Sequence, residues 1–369
     1  MPTSTSTVWP LRDIRASLIE YQLLLPVGAI AALVWANFAH ESYSRFAHAI
    51  DFFVNDVAMV FFFGIAAKEV VEATAPGGAL SSWRRASLPV VAATGGMTGP
   101  ALIYVGLALW FGRQDLLRGW AIPCATDIAF SYLAARAIFP ATHAAIPFLL
   151  LLAIADDALG LVILALFYPI GTVRLVDFVA ILAIALGVAW WLRRRKILNF
   201  WPYIIVPGVI SWIALFRGGL HPALALVPIM PFLPHAARDA GLFVDIEPAP
   251  RDALNQFQRR WTMPVQLILF LFGLVNAGVP LTSVGTGTWV VLTALLVGKP
   301  IGIGLSTLAS VALGLRVPQG VNWREMLVVG IAAGIGFTVA LFFCTASFPP
   351  GIRLDEAKMG ALLSFSASI

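Results

Sequence analysis

Apolar runs about 20 residues long, parted by short polar stretches, recur along the whole chain. A membrane-crossing helix needs about 20 such residues, and on that rule the pattern divides into about twelve spans. They lie near residues 18–38, 50–71, 87–111, 120–138, 143–168, 173–192, 200–216, 218–234, 261–279, 288–314, 325–347 and 357–369. The last is too short for a full crossing and is expected to be a partial or truncated helix. The first follows a polar, Ser/Thr-rich segment and has no A-x-A cleavage pattern, so it reads as a retained helix rather than a signal peptide. Residues 235–260 hold Pro248, Pro250 and mixed charges and read as a loop. No soluble domain or short-period repeat interrupts the series.

Composition agrees with the pattern. Of 369 residues, 60% are hydrophobic and 12% charged, and the mean hydropathy is +0.88. Soluble domains carry about 25% charged residues. The fold class is therefore all-α and polytopic, with one membrane domain over residues 1–369. The net charge of +5 resides mostly in loop arginines, which speaks for topology and against nucleic-acid binding. Of the 24 Lys and Arg residues, 15 fall on one set of alternate connections, from Arg12 to Arg324. Six fall on the other set: Arg45, Arg113, Arg118, Arg174, Arg217 and Arg353. That bias places both termini in the cytoplasm and makes Arg193 to Lys196 a cytoplasmic anchor. Cys124 and Cys344 sit within apolar runs and read as packing residues; nothing suggests a disulfide framework, a zinc site or a cofactor.

Candidate chemistry begins at Leu149 to Leu164, an apolar run with Asp156 and Asp157 adjacent at its middle. One charge at that depth costs several kcal/mol and usually marks function. In the fourth span, Pro123 precedes Thr126 and Asp127. Proline lacks an N–H and clashes with the preceding turn, so the helix kinks or breaks there. Asp127 is then either a locally paired residue at a kink or a third intramembrane carboxylate at a break facing protein or water. The eleventh span holds Gly330, Gly334 and Gly336, which weaken a helix or form a small-residue packing face. Two interrupted spans in corresponding places suggest inverted repeats pairing spans 3–5 with 10–12. The ion-binding core is then approximately 87–168 and 288–369, and the other helices form an interface or scaffold bundle.

Lys299 lies about ten residues into an apolar run. It either snorkels to an interface or compensates a carboxylate of the fifth span. One cation against three anions leaves a negative site suited to protons or a metal cation. Burial and like-charge clustering both make carboxylates hold protons nearer physiological pH. Asp156, Asp157, Asp127, the Thr126 hydroxyl and freed carbonyls offer oxygen ligands. A carboxylate does not hold a proton and coordinate Na⁺ well together, so competition plus alternating access suffices for exchange.

The segments Ala121 to Phe130, Ala153 to Gly160 and Gly298 to Ile303 resemble the NhaA family of bacterial sodium/proton antiporters. Asn55 to Phe62, Gly95-Gly96-Met97, Asn276 to Val279 and Gly330 to Thr338 are similar as well, in family order from about residue 20 onward. NhaA is itself a standard example of the inverted-repeat architecture. The resemblance implies twelve helices with interrupted helices four and eleven crossing. It implies Asp157 as the main ion- and proton-binding carboxylate, Asp156 as the proton-linked partner of Lys299, and Thr126 with Asp127 at the crossing. It implies electrogenic exchange of Na⁺ or Li⁺, held at Asp157 and Asp156, for H⁺ across a bacterial inner membrane, and hence a part in pH homeostasis. Asp56 is implied to have a supporting role.

Departures from the family pattern touch regulation. Ala66 stands where the family has a glutamate, within Gly64 to Val70, a segment containing Lys68 and Glu69. Asn255 to Arg260 replaces a Glu/His cluster. Both regions are tied to pH activation in the family, so the pH response is expected to be shifted or weak. His221 matches a family histidine and reads either as an interface residue or as a sensor. The connection at 39–49 is too short for the family's dimer-forming β-hairpin, which lowers the expectation of a homodimer. Rival readings are a degenerate homologue that senses without transporting, a related-fold transporter of organic anions with sodium, and an intramembrane aspartyl protease. The last expects a G-x-G-D segment, and neither Asp127 nor Asp157 has that context.

Overall fold

The computed structural model describes residues 24–140, 142–234, 252–315, 317 and 320–367. Among them the regular structure is entirely helical. The main helices are α1 (Leu24–Phe38), α2 (His40–Thr74), α3 (Trp83–Trp110), α4 (Ile128–Ile138), α5 (Ala145–Phe167) and α6 (Leu175–Arg194). They continue as α7 (Trp201–Gly218), α8 (Ala253–Asn276), α9 (Thr286–Ala312), α10 (Trp323–Ala333), α11 (Thr338–Ser347) and α12 (Ile352–Ala367). Among the described residues six helices are long and apolar enough to cross a membrane, and α10 with α11 forms a seventh candidate bent by 52°. Outward-facing side chains are large and apolar, with Trp110 84% and Leu313 86% exposed. The chain is a multi-pass membrane protein whose hydrocarbon-facing surface needs no polar cover, since helices satisfy their own backbone.

Two expected connections and one expected span are built differently. Residues 40–52 are helical and run into the second span through a π-helical turn, Phe53–Ala58. Tyr43 anchors this extension from within: its hydroxyl donates to the Val275 carbonyl at 2.7 Å and accepts from Gly278 N–H at 3.0 Å. Helix α8 starts eight residues before the expected position because Asp252 caps it, accepting from Asn255 N–H at 3.0 Å, and Leu254 and Phe257 are buried. Residues 235–251 of the expected loop, and residues 18–23 of the first span, lie outside the described residues. The eighth expected span, 218–234, is a compact string of turns with short 3₁₀ pieces at Pro222–Leu224 and Met230–Phe232. Prolines at 222, 228, 231 and 234 deny an α-helix the donors it needs.

Both interrupted spans are observed. In the fourth, a 3₁₀ turn at Ile122–Cys124 gives way to extended backbone at Ala125 and Asp127 before α4 begins. In the eleventh, α10 ends at Ala333 and α11 starts at Thr338. The two breaks touch: Asp127 N–H donates to the Ile335 carbonyl at 2.7 Å, and Ser131 Oγ to the Ala332 carbonyl at 2.8 Å. A Cβ on Gly336 would come within 2.9 Å of the Ala125 carbonyl, so the crossing requires a residue without one.

Helix α9 contains a π-helical turn, Ala294–Gly298, immediately before Lys299. It packs backbone to backbone on α3: a Cβ on Gly302 would lie 2.0 Å from the Gly95 carbonyl oxygen. Overpacking typically costs about 1–3 kcal/mol, and backbone has less room to give than side chains. Gly302→Val is therefore expected to lower stability by about 3 kcal/mol, read as a lower unfolding temperature in detergent. Wild-type melting of that variant would contradict the close approach.

Candidate functional site

Helix α5 brings Asp156 and Asp157 against the breaks, where their side chains meet different surroundings. Asp156 is buried and paired with fully buried Lys299 at 2.9 Å. The same oxygen, Oδ2, is 2.5 Å from Thr126 Oγ, which also lies 3.1 Å from the Ala333 carbonyl. Lys299 Nζ donates in addition to the Cys124 carbonyl at 2.5 Å. A buried ammonium with a carboxylate and a carbonyl is well matched, while a buried charge without a partner is strongly unfavourable. Asp156 Oδ1 is buried and has no hydrogen-bond partner among the described residues.

Asp157 is half-buried. Among the described residues its carboxylate makes no hydrogen bond or ion pair. It lines a pocket together with Asp156 and with Gly160, Leu161 and Leu164 of its own helix. The opposing walls are Phe62, Phe63 and Ala66 of α2, Ala125 at the break, and Val339 and Phe343 of α11. An unpaired carboxylate at an apolar pocket is a natural place for a small cation or a proton.

Asp127 is held by backbone and hydroxyl donors. It caps α4 through Phe130 N–H at 3.4 Å, accepts Thr338 N–H at 3.1 Å, and accepts a short hydrogen bond from the Thr338 hydroxyl. One carboxylate thus sits at the N-termini of both α4 and α11, where helix dipoles favour negative charge. Lys299 compensates the opposite sense at the end of the Ile122–Cys124 turn. Among the described residues no three His, Cys, Asp or Glu side chains converge as a metal cage, and Asp127 stands apart from the Asp156–Asp157 pair in its bonding.

The residues expected to support the site lie further out. Lys68 is 3% exposed and bridges Glu72 Oε2 and Gln258 Oε1, each at 2.5 Å. The two segments that depart from the family pattern are therefore in direct contact. Glu69 is half-buried on α2. Asp56 lies in the π-helical turn, where its carbonyl accepts Trp212 Nε1–H at 2.7 Å. Its neighbour Asn55 exchanges side-chain hydrogen bonds with Asn276 at 2.8 and 3.3 Å. His221 packs edge-on against Phe342, ring centres 5.4 Å apart, and is not among the residues lining the Asp157 pocket.

Sequence reading did not single out Thr338 as the partner of Asp127, the Cys124 carbonyl as a ligand of Lys299, or the phenylalanine walls. Thr338, directly after the glycine-rich break, carried a usable signal, because hydroxyl residues at helix starts are capping candidates. Carbonyls and aromatic walls carry none.

Residues 16–369 match the model of a family described as Na+/H+ antiporter 1. The chain is 46% identical over 362 residues to a protein of Desulfitobacterium hafniense (strain Y51) named Na(+)/H(+) antiporter NhaA, covering 95% of this chain and 92% of that one. It is 45% identical over 360 residues to Na(+)/H(+) antiporter NhaA 2 of Pelobacter propionicus, covering 95% and 94%. Against Na(+)/H(+) antiporter NhaA of Geobacter sulfurreducens it is 44% identical over 360 residues, again covering 95% and 94%.

Proposed function

Because the chain belongs to the Na+/H+ antiporter 1 family, we propose that it exchanges Na⁺ or Li⁺ for H⁺ across the bacterial inner membrane. The observation that carries the residue-level reading is the asymmetry of the two adjacent aspartates. Asp157 lies unpaired at the pocket, and Asp156 is locked to Lys299 with one oxygen left unpartnered.

In this reading Asp157 binds Na⁺ or a proton, never both well. Its neighbour supplies a second carboxylate whose free Oδ1 accepts a proton when Lys299 shifts its hydrogen bond toward the Cys124 carbonyl. Thr126 holds Asp156 Oδ2 in place. Asp127 neutralises the two helix starts, so that the crossing keeps its form while a cation comes and goes. With Lys299 and Asp156 sharing a proton-linked role, more than one proton moves per cation and exchange is electrogenic. The transported ions are substrate, and no cofactor or enzymatic activity is proposed.

The architecture is proposed to contain twelve spans. Spans three to five and ten to twelve form inverted repeats and an ion-binding core, approximately 87–168 and 288–369, against a scaffold of the remaining helices. Both termini are placed in the cytoplasm by the arginine bias. A stable homodimer is not part of the proposal.

The test is reconstitution in proteoliposomes with an imposed pH gradient and a fluorescent pH probe. Na⁺ and Li⁺ are expected to collapse the gradient at pH 6–9, and K⁺ or choline to leave it standing. A gradient insensitive to Na⁺ and Li⁺ throughout that range would overturn the proposed exchange.

A further inference from the structure

We propose that His143 and Glu325 form a pH-sensitive latch between the two interrupted spans, closed on proton uptake and opened as pH rises. The inference rests on the antiport reading for its effect on exchange, and adds a control point outside the Asp157 pocket.

The two residues come from separate elements at one end of the fold. His143 sits in the connection from α4 to α5, and Glu325 lies in the first turn of α10. His143 Nε2 is 3.7 Å from Glu325 Oε1, beyond the roughly 2.7–3.2 Å of a hydrogen bond. On its other side the ring is engaged: Nδ1 accepts from Ala145 N–H at 3.3 Å, so that nitrogen carries no proton. Phe139 lies nearly parallel to the ring, centres 4.9 Å apart at 12°, and fixes its plane. Glu325 is held as well, because Oε2 accepts from Asn322 N–H at 2.8 Å within a capping box. The structure thus shows a neutral imidazole beside a carboxylate that it does not quite reach.

Protonation changes that arrangement. An imidazolium donates from both nitrogens, so a proton on Nδ1 meets the Ala145 N–H donor head-on. The contact to α5 breaks and the ring turns to Glu325. Histidine ordinarily changes charge between about pH 5 and 8. The side chains are 23% and 25% exposed, so the proton comes directly from solvent. The other charges at this end are basic. Arg136 in the last turn of α4 and Arg324 beside Glu325 are exposed. Arg84 and Arg85 fall in the first turn of α3, whose Leu88 shares an apolar cluster with Phe139 and Met326. Arg316 lies outside the described residues. Neither Ala145–Ala155 of α5 nor Pro300–Ala312 of α9 holds a titratable side chain. Asp127 is at the far end of α4 and Asp156 midway along α5. Among the described residues Glu325 is therefore the carboxylate within reach of His143.

Helix α10 connects the latch to the site. Its first turn holds Glu325, and its last residues, Ala332 and Ala333, offer carbonyls to Ser131 Oγ at 2.8 Å and Thr126 Oγ at 3.1 Å. Thr126 in turn bonds Asp156 Oδ2. A helix of 11 residues is only about 16 Å long and moves as one piece. Closing the latch therefore holds the crossing against the rearrangement that alternating access requires. Exchange is restrained at acid pH and released as pH rises.

His143→Gln removes the titration, and Glu325→Gln removes the charge while keeping a capping box that glutamine also serves. Either is expected to raise Na⁺-driven proton movement in proteoliposomes at about pH 6 by about two- to fivefold, the range of a partly exposed ion pair. Neither is expected to change it at about pH 8.5. His143→Lys keeps the positive charge at both pH values. It is expected to lower exchange at the alkaline pH by the same factor, and adding Glu325→Gln to reverse that loss. A readout without transport is amide hydrogen exchange of residues 320–333 in detergent, corrected for intrinsic rates. Wild type should be better protected at the acid pH, and His143→Gln equally protected at both. An acid limb unmoved in both glutamine variants overturns the proposal, as does pH-independent protection of the wild type. A wild type that moves no protons in response to Na⁺ overturns the antiport reading instead, and hydrogen exchange then decides the latch alone.

Discussion

Replacing Asp157 with asparagine is expected to reduce Na⁺- and Li⁺-driven proton movement to that of protein-free liposomes, with little change in melting temperature. Asparagine matches aspartate in size, so the pocket keeps its shape. It carries no charge and does not titrate in the working range, so it offers Na⁺ only a neutral oxygen and the proton no seat. Stability is spared because the Asp157 carboxylate makes no hydrogen bond or ion pair among the described residues, and removing a half-buried, unpaired charge from an apolar helix takes away nothing that holds the fold. The separation of the two readouts is the informative part. Exchange at wild-type rate in Asp157→Asn would remove this residue from the centre of the mechanism. A large loss of stability would mean the carboxylate has a structural partner.

Lys299→Ala is expected to behave in the opposite way, costing the fold as well as transport. Its ammonium is fully buried and satisfies Asp156 Oδ2 and the Cys124 carbonyl together. Removing one member of a buried ion pair typically costs about 3–5 kcal/mol, because the other charge is left uncompensated. The sign with pH follows from the carboxylate left behind. Alone in that pocket Asp156 is tolerated as the neutral acid, whereas in the unfolded chain it is an anion at neutral pH. The folded variant therefore holds the extra proton, and its stability falls as pH rises. Melting temperature against pH checks this: the gap to wild type should widen toward alkaline pH. Transport gives the second readout. If exchange remains as electrogenic as in wild type, measured by its response to an imposed membrane potential, Lys299 is not the proton-linked partner of Asp156.

Much of the architecture was legible because it rests on local rules. Pro123 announced the break before Asp127, and the glycines from 330 to 336 announced the break before Thr338. The adjacent aspartates stood out since charge in an apolar run is rare. Errors fell where local rules compete. Residues 39–49 are polar enough to read as a loop, yet from His40 onward they are helical, with Tyr43 buried against α8. Residues 218–234 are apolar enough to read as a span, yet their prolines turn them into 3₁₀ pieces.

The chain by itself therefore determined the membrane class, the two interrupted spans and the identity of the charged residues inside them, since each follows from residue type and spacing within a few turns. Only the tertiary structure decided which aspartate is locked and which is open. Asp156 and Asp157 are neighbours in sequence with identical chemistry, and a helix turns successive side chains about 100° apart. That rotation sends one toward Lys299, which is 143 residues away along the chain, and the other toward the pocket walls of α2 and α11. No local pattern encodes such a meeting of distant helices, and the division of labour between the two carboxylates depends on it.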